Sequence, residues 1–447
     1  MHLYMSGTPT NDVYQTVENR MNTHRLFSMH GSYEGAVLKW VGDLREGILD
    51  ADDYMRKYPD RRDRLIERDQ RRREKQKDYC RTFDWNTAEV LEHVCKTLGE
   101  RPYPKAILLD SGAFTAWNKG ETTTVDDVRR KYSRFITAAG DLFDEIWAIN
   151  LDVIPGERGR DPTPDELKRA VEVSDINFEI LVKEFGNVIL PVYHQGEPVD
   201  RLAECVEQVN GRSNYICVSP RNDLAETLRV AWSRDTHAVL RKQWPEIKTH
   251  GLATTGNDMV RTVPWFSGDS AAWVQHGGFG MIDIFHDAKN LYSGKPNPHY
   301  MNYFVSLENA ALAIDGKQPL RDGSLLDLGQ FGFLGDEYNS AGELIRPGTP
   351  VREIAETLVA NGVHPDDFLF DASAGHREDQ GKSYWAVPPE RQEYIRSRVE
   401  ALGFPFEVCM WDSRVRNLVC MAEFVKFAEW AKGSERAPAQ TYLLGDL

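Results

Sequence analysis

The sequence predicts an α/β fold, a (β/α)8 TIM barrel, and three observations support this. Strand-like apolar runs recur from about position 104 onward, helix-like stretches separate most of them, and polar residues follow the runs directly. This alternation is typical of parallel strands joined by helical crossovers, with functional groups at the strand ends. A doubly wound open sheet is the alternative, although no glycine-rich phosphate-binding motif opens a strand–helix unit.

Eight strand-like runs can be counted along the chain, enough for a closed barrel. They are Leu3–Gly7, Ala106–Leu109, Ile146–Leu151, Val188–Tyr193, Tyr215–Val218, Thr249–Ala253, Val263–Phe266 and Met281–Phe285. The helix-like stretches between them are Val125–Ala139, Pro164–Phe185, Val199–Val209 and Leu224–Gln243. With 447 residues, the chain is longer than one average domain, so we expect additions to the barrel.

The predicted organisation has four parts. Residues 1–14 hold the first barrel strand, residues 15–104 form a helical, basic insertion, and residues 105–294 form the TIM-barrel catalytic core. Residues 295–447 form a C-terminal α/β accessory region, because a new pattern of short strand-like and helix-like stretches begins there.

The charge distribution leaves a nucleic-acid partner open. The net charge of −15 alone argues against binding a polyanion, but the segment from Arg56 to Arg81 has twelve Lys or Arg against six Asp or Glu. A solvated, salt-bridged helix face is the alternative interpretation of this segment. If it binds nucleic acid, we expect these side chains to make the contacts: Arg56, Arg61, Arg64, Arg68, Arg71, Arg72, Arg73 and Lys75.

The sequence predicts an enzyme without a metal, in the cytoplasm. No apolar run suits a signal peptide or a membrane span. The six cysteines form no CxxC pair, and the histidines lack metal-ligand spacing, so we expect neither a metal nor another cofactor. A homodimer stays open.

Polar residues at the predicted strand ends form a set suited to a purine. Carboxylates are available at Asp110, Asp152 and Asp269, an amide at Gln195, and backbone groups around Gly251. One carboxylate can accept the N1–H and N2 amino group of a guanine-type base, while an amide and a glycine N–H serve its O6. Two carboxylates remain for glycosidic chemistry, one attacking the sugar carbon and one moving protons.

Four motifs in this order resemble those of the tRNA-guanine transglycosylases. Asp110-Ser111-Gly112-Ala113-Phe114 resembles their DSGGF segment, Tyr193-His194-Gln195-Gly196 their QGG loop, and His250-Gly251-Leu252-Ala253 their GGLA segment. The stretch from Gly268 to Trp273 is similar to the DSxxW form of divergent relatives. Those relatives are the DNA 7-deazaguanine transglycosylases (the DpdA family), which are often phage-encoded.

The resemblance implies a role for each matching residue. Asp269 is implied as the nucleophile and Asp110 as the general acid and base. The implied base-binding residues are Asp152, Gln195, Gly251, Leu252, Phe114, Ser111 and Gly196. The Gly251 N–H and the Leu252 carbonyl are implied as the backbone contacts, and Phe114 as a stacking residue.

The implied activity is that of a pentosyltransferase that exchanges guanine in DNA for a 7-deazaguanine base such as 7-cyano-7-deazaguanine (preQ0). A tRNA substrate is the alternative, but the CxCxxC zinc motif of the tRNA enzymes is missing, since no cysteine lies between Cys217 and Cys409. A hydrolytic glycosylase and a non-catalytic DNA-binding subunit are further alternatives. If the chain is phage-encoded, we expect it in the host cytoplasm.

Overall fold

The computed structural model describes most of the chain, and each structural statement below concerns these residues. They are 1–21, 24–31, 33–75, 86–98, 102–156, 160–286, 299–305, 333–334, 337–338, 344–346, 349–350, 382–384 and 389–433.

A parallel sheet forms the centre of the fold. Its nine strands, β1 to β9, are His2–Ser6, His24–Ser28, Ala106–Asp110, Glu145–Ile149, Ile189–Leu190, Val192–His194, Tyr215–Ser219, Lys248–Gly251 and Ser267–Ser270. Their spatial order is β5-β4-β3-β2-β1-β9-β8-β7-β6. The two end strands, β5 and β6, are consecutive in the chain and separated only by Pro191, so the sheet curls into a nearly closed barrel. This confirms the prediction of an α/β, TIM-like barrel.

Helices connect the strands around the outside of the barrel. The helices α1 to α12 are Tyr14–Met21, Tyr33–Arg45, Ala51–Lys57, Pro59–Lys75, Thr87–Leu98, Ala113–Lys119, Val125–Ala139, Pro164–Phe185, Val199–Val209, Glu226–Gln243, Asn257–Thr262 and Ala272–Gly278. Local sequence sets where they begin: Thr163 and Glu166 form a capping box that starts α8 at Pro164. None of the described helices is long and apolar enough to cross a membrane.

Smaller elements follow the barrel. The strands β10 to β16 are Met281–His286, His299–Phe304, Phe333–Leu334, Glu337–Tyr338, Leu344–Arg346, Thr349–Pro350 and Lys382–Ser383. The helices α13 to α15 are Pro389–Glu400, Phe406–Trp411 and Ser413–Gly433. Much of the predicted C-terminal accessory region, residues 295–447, therefore lies outside the described residues.

The predicted seventh strand, Val263–Phe266, lies just before the observed strand, which is β9 at Ser267–Ser270. Two further strands differ from the sequence prediction. The second barrel strand is β2, which lies within the 15–104 segment that was predicted to be helical. The predicted last barrel strand, Met281–Phe285, instead lies in β10 and pairs antiparallel with β11. Composition misleads in both cases: β2 has only two apolar residues, Leu26 and Phe27, whereas β10 is buried along its whole length, as a barrel strand would be.

Side chains fill two separate apolar regions, inside and outside the barrel. The inner cluster draws on alternate residues of the strands: Tyr4, Leu26, Ala106, Leu108, Ile149, Leu190, Val192, Tyr215 and Cys217. The outer cluster packs the helices onto the sheet and continues into α15. The inner cluster is therefore a packed floor below the carboxyl ends of the strands, where barrel enzymes keep their chemistry.

A buried ionic cluster ties the basic helix α4 to the start of α15. The Arg72 guanidinium lies 2.8 Å from the Asp412 carboxylate and donates to the Trp411 carbonyl. Arg68 lies 3.5 Å from the same carboxylate, which also accepts a hydrogen bond from Tyr14. Although burial opposes the charged form, these arginines hold the pKa of Asp412 below its ordinary value.

Arg72 is therefore expected to be a stability residue. Replacing it in Arg72→Met leaves the carboxylate of Asp412 buried with less compensation, which should lower the free energy of unfolding by about 3 kcal/mol in urea melts. The exposed neighbour in Arg71→Met is the matched control and should change stability by less than about 0.5 kcal/mol. Equal effects of the two substitutions would contradict this assignment.

Candidate active site

Strand alternation brings polar side chains to one end of the barrel. Tyr4 and Leu108 belong to the inner cluster, and side chains two residues further along a strand point to the same side. Ser6 and Asp110, which end β1 and β3, therefore lie one layer above that apolar floor. Asp269 on the neighbouring strand β9 lies beside them, because the Ser6 hydroxyl hydrogen-bonds to it.

Asp269 is held by two hydrogen bonds, one to each carboxylate oxygen. The Ser6 hydroxyl donates to Oδ2 at 2.6 Å, and the Ala253 backbone N–H donates to Oδ1 at 2.8 Å. Ala253 has a φ of +52°, a left-handed conformation that costs energy outside glycine. Trp273 in turn donates its indole N–H to the Ser6 carbonyl at 2.8 Å. The carboxylate is thus held in one orientation at the mouth of the barrel.

Asp110 has a pKa raised to about 6. Burial is the main cause, the nearby carboxylates of Asp152 and Asp269 raise it further, and hydrogen bonds from the Gly112 N–H and from Ser28 oppose the shift. Gly112 has a φ of +81°, and a Cβ there would lie 2.7 Å from the Cβ of His30. Only glycine fits this turn, which points its N–H at the Asp110 carboxylate.

Asp152 forms a buried pair with His194. The Asp152 Oδ2 lies 2.8 Å from the His194 Nε2, and both residues are largely buried. Burial alone would lower the pKa of His194, but the hydrogen bond and the charge of Asp152 outweigh it and raise the pKa above its usual value. Glu197 accepts a hydrogen bond from the His194 backbone N–H at 2.8 Å, which fixes the end of β6.

The three carboxylates converge above one point inside the barrel. Cys217, in the middle of β7, is fully buried, and burial raises the pKa of its thiol well above the usual value. The charges of Asp152, Asp269 and Asp110 each raise that pKa further. All three acids that the sequence singled out therefore lie within electrostatic range of the same thiol, although the ends of β3, β4 and β9 bring them from distant parts of the chain.

Gln195 and Gly196 lie on the rim between β6 and β7. The Gln195 side-chain Oε1 accepts a hydrogen bond from the Arg221 backbone N–H at 3.0 Å, and the Gln195 N–H donates to the Ser219 carbonyl at 2.9 Å. Gly196 is exposed, with a φ of +106°. The Gln195 amide thus has its oxygen turned toward the end of β7.

Around Gly251 the backbone makes tight contacts. The Thr254 hydroxyl donates to the Gly251 carbonyl at 2.9 Å, and a Cβ on Gly251 would lie 2.2 Å from the same hydroxyl oxygen. The Leu252 N–H donates to the Val218 carbonyl at 3.0 Å. The Gly251 carbonyl and the Leu252 N–H are therefore engaged in the fold itself, and Gly251 lies within the sheet, paired with Val218 of β7 and Gly268 of β9.

The DSGGF-like segment presents one buried and one exposed side chain. Ser111 is 1% exposed, whereas Phe114 on α6 is 49% exposed and has its ring 5.9 Å from that of Trp117. An exposed aromatic ring on the rim is available for stacking on a base.

The basic segment divides into surface and buried side chains. Arg56, Arg61, Arg64 and Arg71 are exposed, Arg68 and Arg73 are half-buried, and Arg72 is buried. Arg56 lies 2.6 Å from the carboxylate of Asp52, and Arg61 stacks on Tyr58 with 5.2 Å to the ring centre. The side chain of Lys75 is outside the described residues. Arg72 is buried and forms an ion pair with Asp412, so its charge is compensated within the fold.

The hydrogen-bond donors around the acids were not predicted from the sequence. Ser6, Ser28 and Ala253 hold Asp269 and Asp110; Ser6 and Ser28 lie outside the four motifs, and Ala253 ends the GGLA-like segment without a role of its own. A usable signal existed for Ser6, because counting in steps of two from Tyr4 places it one layer above the floor. No such signal existed for Ser28, since its strand was not predicted.

No protein-family model matches the chain, and no curated protein matches it. No group of three or more His, Cys, Asp or Glu side chains within the described ranges is arranged to hold a metal ion. The three carboxylates and their hydrogen-bond donors are therefore the groups from which the chemistry of the site is inferred.

The raised pKa of Asp110 predicts a pH-dependent stability difference. Because the folded pKa is about 6 against an ordinary value of 3.8, ionising Asp110 opposes folding. The protonated carboxyl group of Asp110 therefore stabilises the folded state. This stabilisation is fully present below about pH 4 and is lost as the pH rises through about 6. Relative to wild type, Asp110→Asn should therefore gain about 2–3 kcal/mol in free energy of unfolding between pH 4 and pH 7.5.

Urea melts of both proteins at several pH values measure this gain. The exposed Asp200 provides the control substitution Asp200→Asn, which should show no such pH-dependent gain. A constant stability difference between Asp110→Asn and wild type would contradict the assigned environment of Asp110.

Proposed function

We propose that this chain is a DNA-guanine transglycosylase, which exchanges guanine in DNA for a 7-deazaguanine base through a covalent Asp269–sugar intermediate. The observation that carries the proposal is the convergence of three acids in unlike environments at one barrel mouth. Asp269 accepts a hydrogen bond on each oxygen, Asp110 has a pKa of about 6, and Asp152 pairs with His194. Unlike environments for neighbouring carboxyl groups are how enzymes separate a nucleophile from an acid.

Asp269 suits the role of nucleophile. Among the described residues, its hydrogen bonds come from Ser6 and from the Ala253 backbone, both uncharged donors, and they fix its orientation. The target guanine must first leave the duplex, at a cost of a few kcal/mol in lost stacking and pairing. Asp269 then attacks the anomeric carbon, the carbon–nitrogen bond to guanine breaks, and guanine leaves with the electron pair.

Asp110 suits the role of proton carrier. With a pKa of about 6 it can give a proton to the departing guanine and take one back from the incoming base, so the cycle is balanced in protons. The incoming base attacks the sugar and releases Asp269. Two inversions give net retention, for which the two carboxyl groups should lie about 5–5.5 Å apart.

Asp152 suits recognition of the base edge. Its Oδ2 is paired with His194, so in the proposed complex Oδ1 accepts from the N1–H and the amino group of the base. The exposed Phe114 would stack at the rim. DNA is proposed rather than tRNA because the sequence lacks the cysteine motif that accompanies tRNA binding in the resembling enzymes.

Base exchange can be measured directly. The full chain is incubated with preQ0 and either duplex DNA or tRNA, and the nucleic acid is digested to nucleosides for mass spectrometry. We expect a 7-deazaguanine deoxynucleoside from DNA, none from tRNA, and at least roughly a thousandfold loss of product with Asp269→Asn. The exposed carboxylate of Asp200 supplies the control Asp200→Asn, which should react like wild type.

Each other outcome selects a different function. Product in tRNA alone would make this a tRNA enzyme, and guanine release without insertion would make it a hydrolase. A third outcome is that neither DNA nor tRNA yields product, while Asp110→Ala and Asp269→Ala bind DNA like wild type. That outcome would indicate a non-catalytic DNA-binding subunit.

A further inference from the structure

Below Asp269, a row of polar side chains runs through the barrel interior. The Tyr215 hydroxyl hydrogen-bonds to the Ser267 hydroxyl, which lies 2.7 Å from the His250 Nδ1. The His250 Nε2 lies 3.5 Å from the Asp269 Oδ1. Tyr215 is 1% exposed, and Ser267 and His250 are not exposed at all. Such interiors are usually filled by apolar side chains, and polar groups there are costly unless each is satisfied.

Hydrogen bonding links the tautomer of His250 to Tyr215. Burial raises the pKa of Tyr215 well above its usual value, so its hydroxyl keeps its hydrogen, and either hydroxyl of the Tyr215–Ser267 pair can donate to the other. When Tyr215 donates, the Ser267 hydrogen goes to the remaining partner, the His250 Nδ1, which then accepts. A neutral ring that accepts at Nδ1 carries its hydrogen on Nε2, the atom that faces Asp269.

The Nε2 atom of His250 has no hydrogen-bond partner within the described part of the chain. An unsatisfied buried N–H costs about 1–3 kcal/mol, and an apolar residue would fill this position without that cost. Its nearest carboxylate oxygen, the Asp269 Oδ1, is at 3.5 Å, slightly too far for a good hydrogen bond. Catalytic hydrogen bonds are often long in the empty enzyme and shorten when substrate binds.

We propose that Tyr215, Ser267 and His250 are positioning residues that direct an N–H at the Asp269 Oδ1 and thereby select Oδ2 as the attacking oxygen. The inference rests on the proposed function and deepens it. Oδ1 faces two donors, the Ala253 N–H and the His250 Nε2–H, whereas Oδ2 accepts from Ser6 alone among the described residues. Oδ2 forms the bond to the anomeric carbon, and Oδ1 becomes the carbonyl oxygen of the glycosyl ester.

The same donors assist the second half of the reaction. When the incoming base attacks, the bond between the anomeric carbon and Oδ2 breaks and its electron pair returns to the carboxylate. Donors aimed at Oδ1 stabilise the charge as it returns, in the manner of an oxyanion hole. Ser267 and Tyr215 act through His250, because they fix which ring nitrogen carries the hydrogen.

Kinetics of the full chain test the positioning role. Removing the donor in His250→Phe should lower kcat for base exchange about 10- to 100-fold, with KM for the free base within about twofold. His250→Gln can return a donor amide toward Asp269 and should recover most of the rate. His237, a buried histidine outside the barrel that contacts Thr249, supplies the control His237→Phe, which should keep kcat within about twofold of wild type. A His250→Phe protein with the wild-type kcat, or no rescue by His250→Gln, would overturn the proposal.

A spectroscopic measurement separates this proposal from the function on which it rests. ¹⁵N NMR of the histidine rings in the full chain reports the tautomer of His250, with the His250→Gln spectrum giving the assignment. We expect hydrogen on Nε2 in wild type and a loss of that preference in Tyr215→Phe. Hydrogen on Nδ1 in wild type would overturn the positioning role of these three residues even if base exchange occurs. If wild type shows the expected tautomer but no base exchange, the proposed function is wrong, although the hydrogen-bonded chain from Tyr215 to His250 is present.

Discussion

Crowding of like charges at the barrel mouth is the constraint on which the site depends. Asp110, Asp152 and Asp269 approach closely enough for two of them to raise the pKa of the third, in a space floored by apolar side chains. Carboxylates in such a space repel one another unless donors compensate or a proton is retained. Each acid has a different solution: Asp269 accepts from Ser6 and Ala253, Asp152 pairs with His194, and Asp110 holds its proton to higher pH. The division of chemical roles follows from this unequal compensation.

The surrounding fold holds the hydrogen-bond donors in position around the carboxylates. The Ser6 carbonyl is held by Trp273, the turn after Asp110 requires glycine at position 112, and Ala253 keeps a left-handed backbone conformation. Of these features, the left-handed backbone of Ala253 stores a little strain near the reacting groups, which the packed barrel sustains. At the periphery, Arg68 and Arg72 form ion pairs with Asp412. Helix α4, which the sequence marked only as a basic segment, therefore also joins the barrel to the C-terminal helices.

The sequence predicted the fold class and the three acids because both depend on local patterns. Alternation of apolar runs with helix-like stretches requires parallel strands, and strand ends of a parallel barrel share one rim. It failed where pairing partners decide the outcome. His24–Ser28 carries too few apolar residues to stand out as a strand, and Met281–Phe285 has barrel-like composition but an antiparallel partner. Ser28, and the donor role of Ala253 within its motif, were not predicted for the same reason, because only the closed barrel brings these groups to their carboxylates.

The most direct test of this account is the titration of the Asp110 side chain, followed by ¹³C NMR of its carboxyl carbon in the full chain. We expect a midpoint of about 6 in wild type, moving toward the ordinary value when a neighbouring negative charge is removed in Asp152→Asn or Asp269→Asn. A midpoint near 3.8 that neither substitution alters would contradict the claim that the three carboxylates share one mouth.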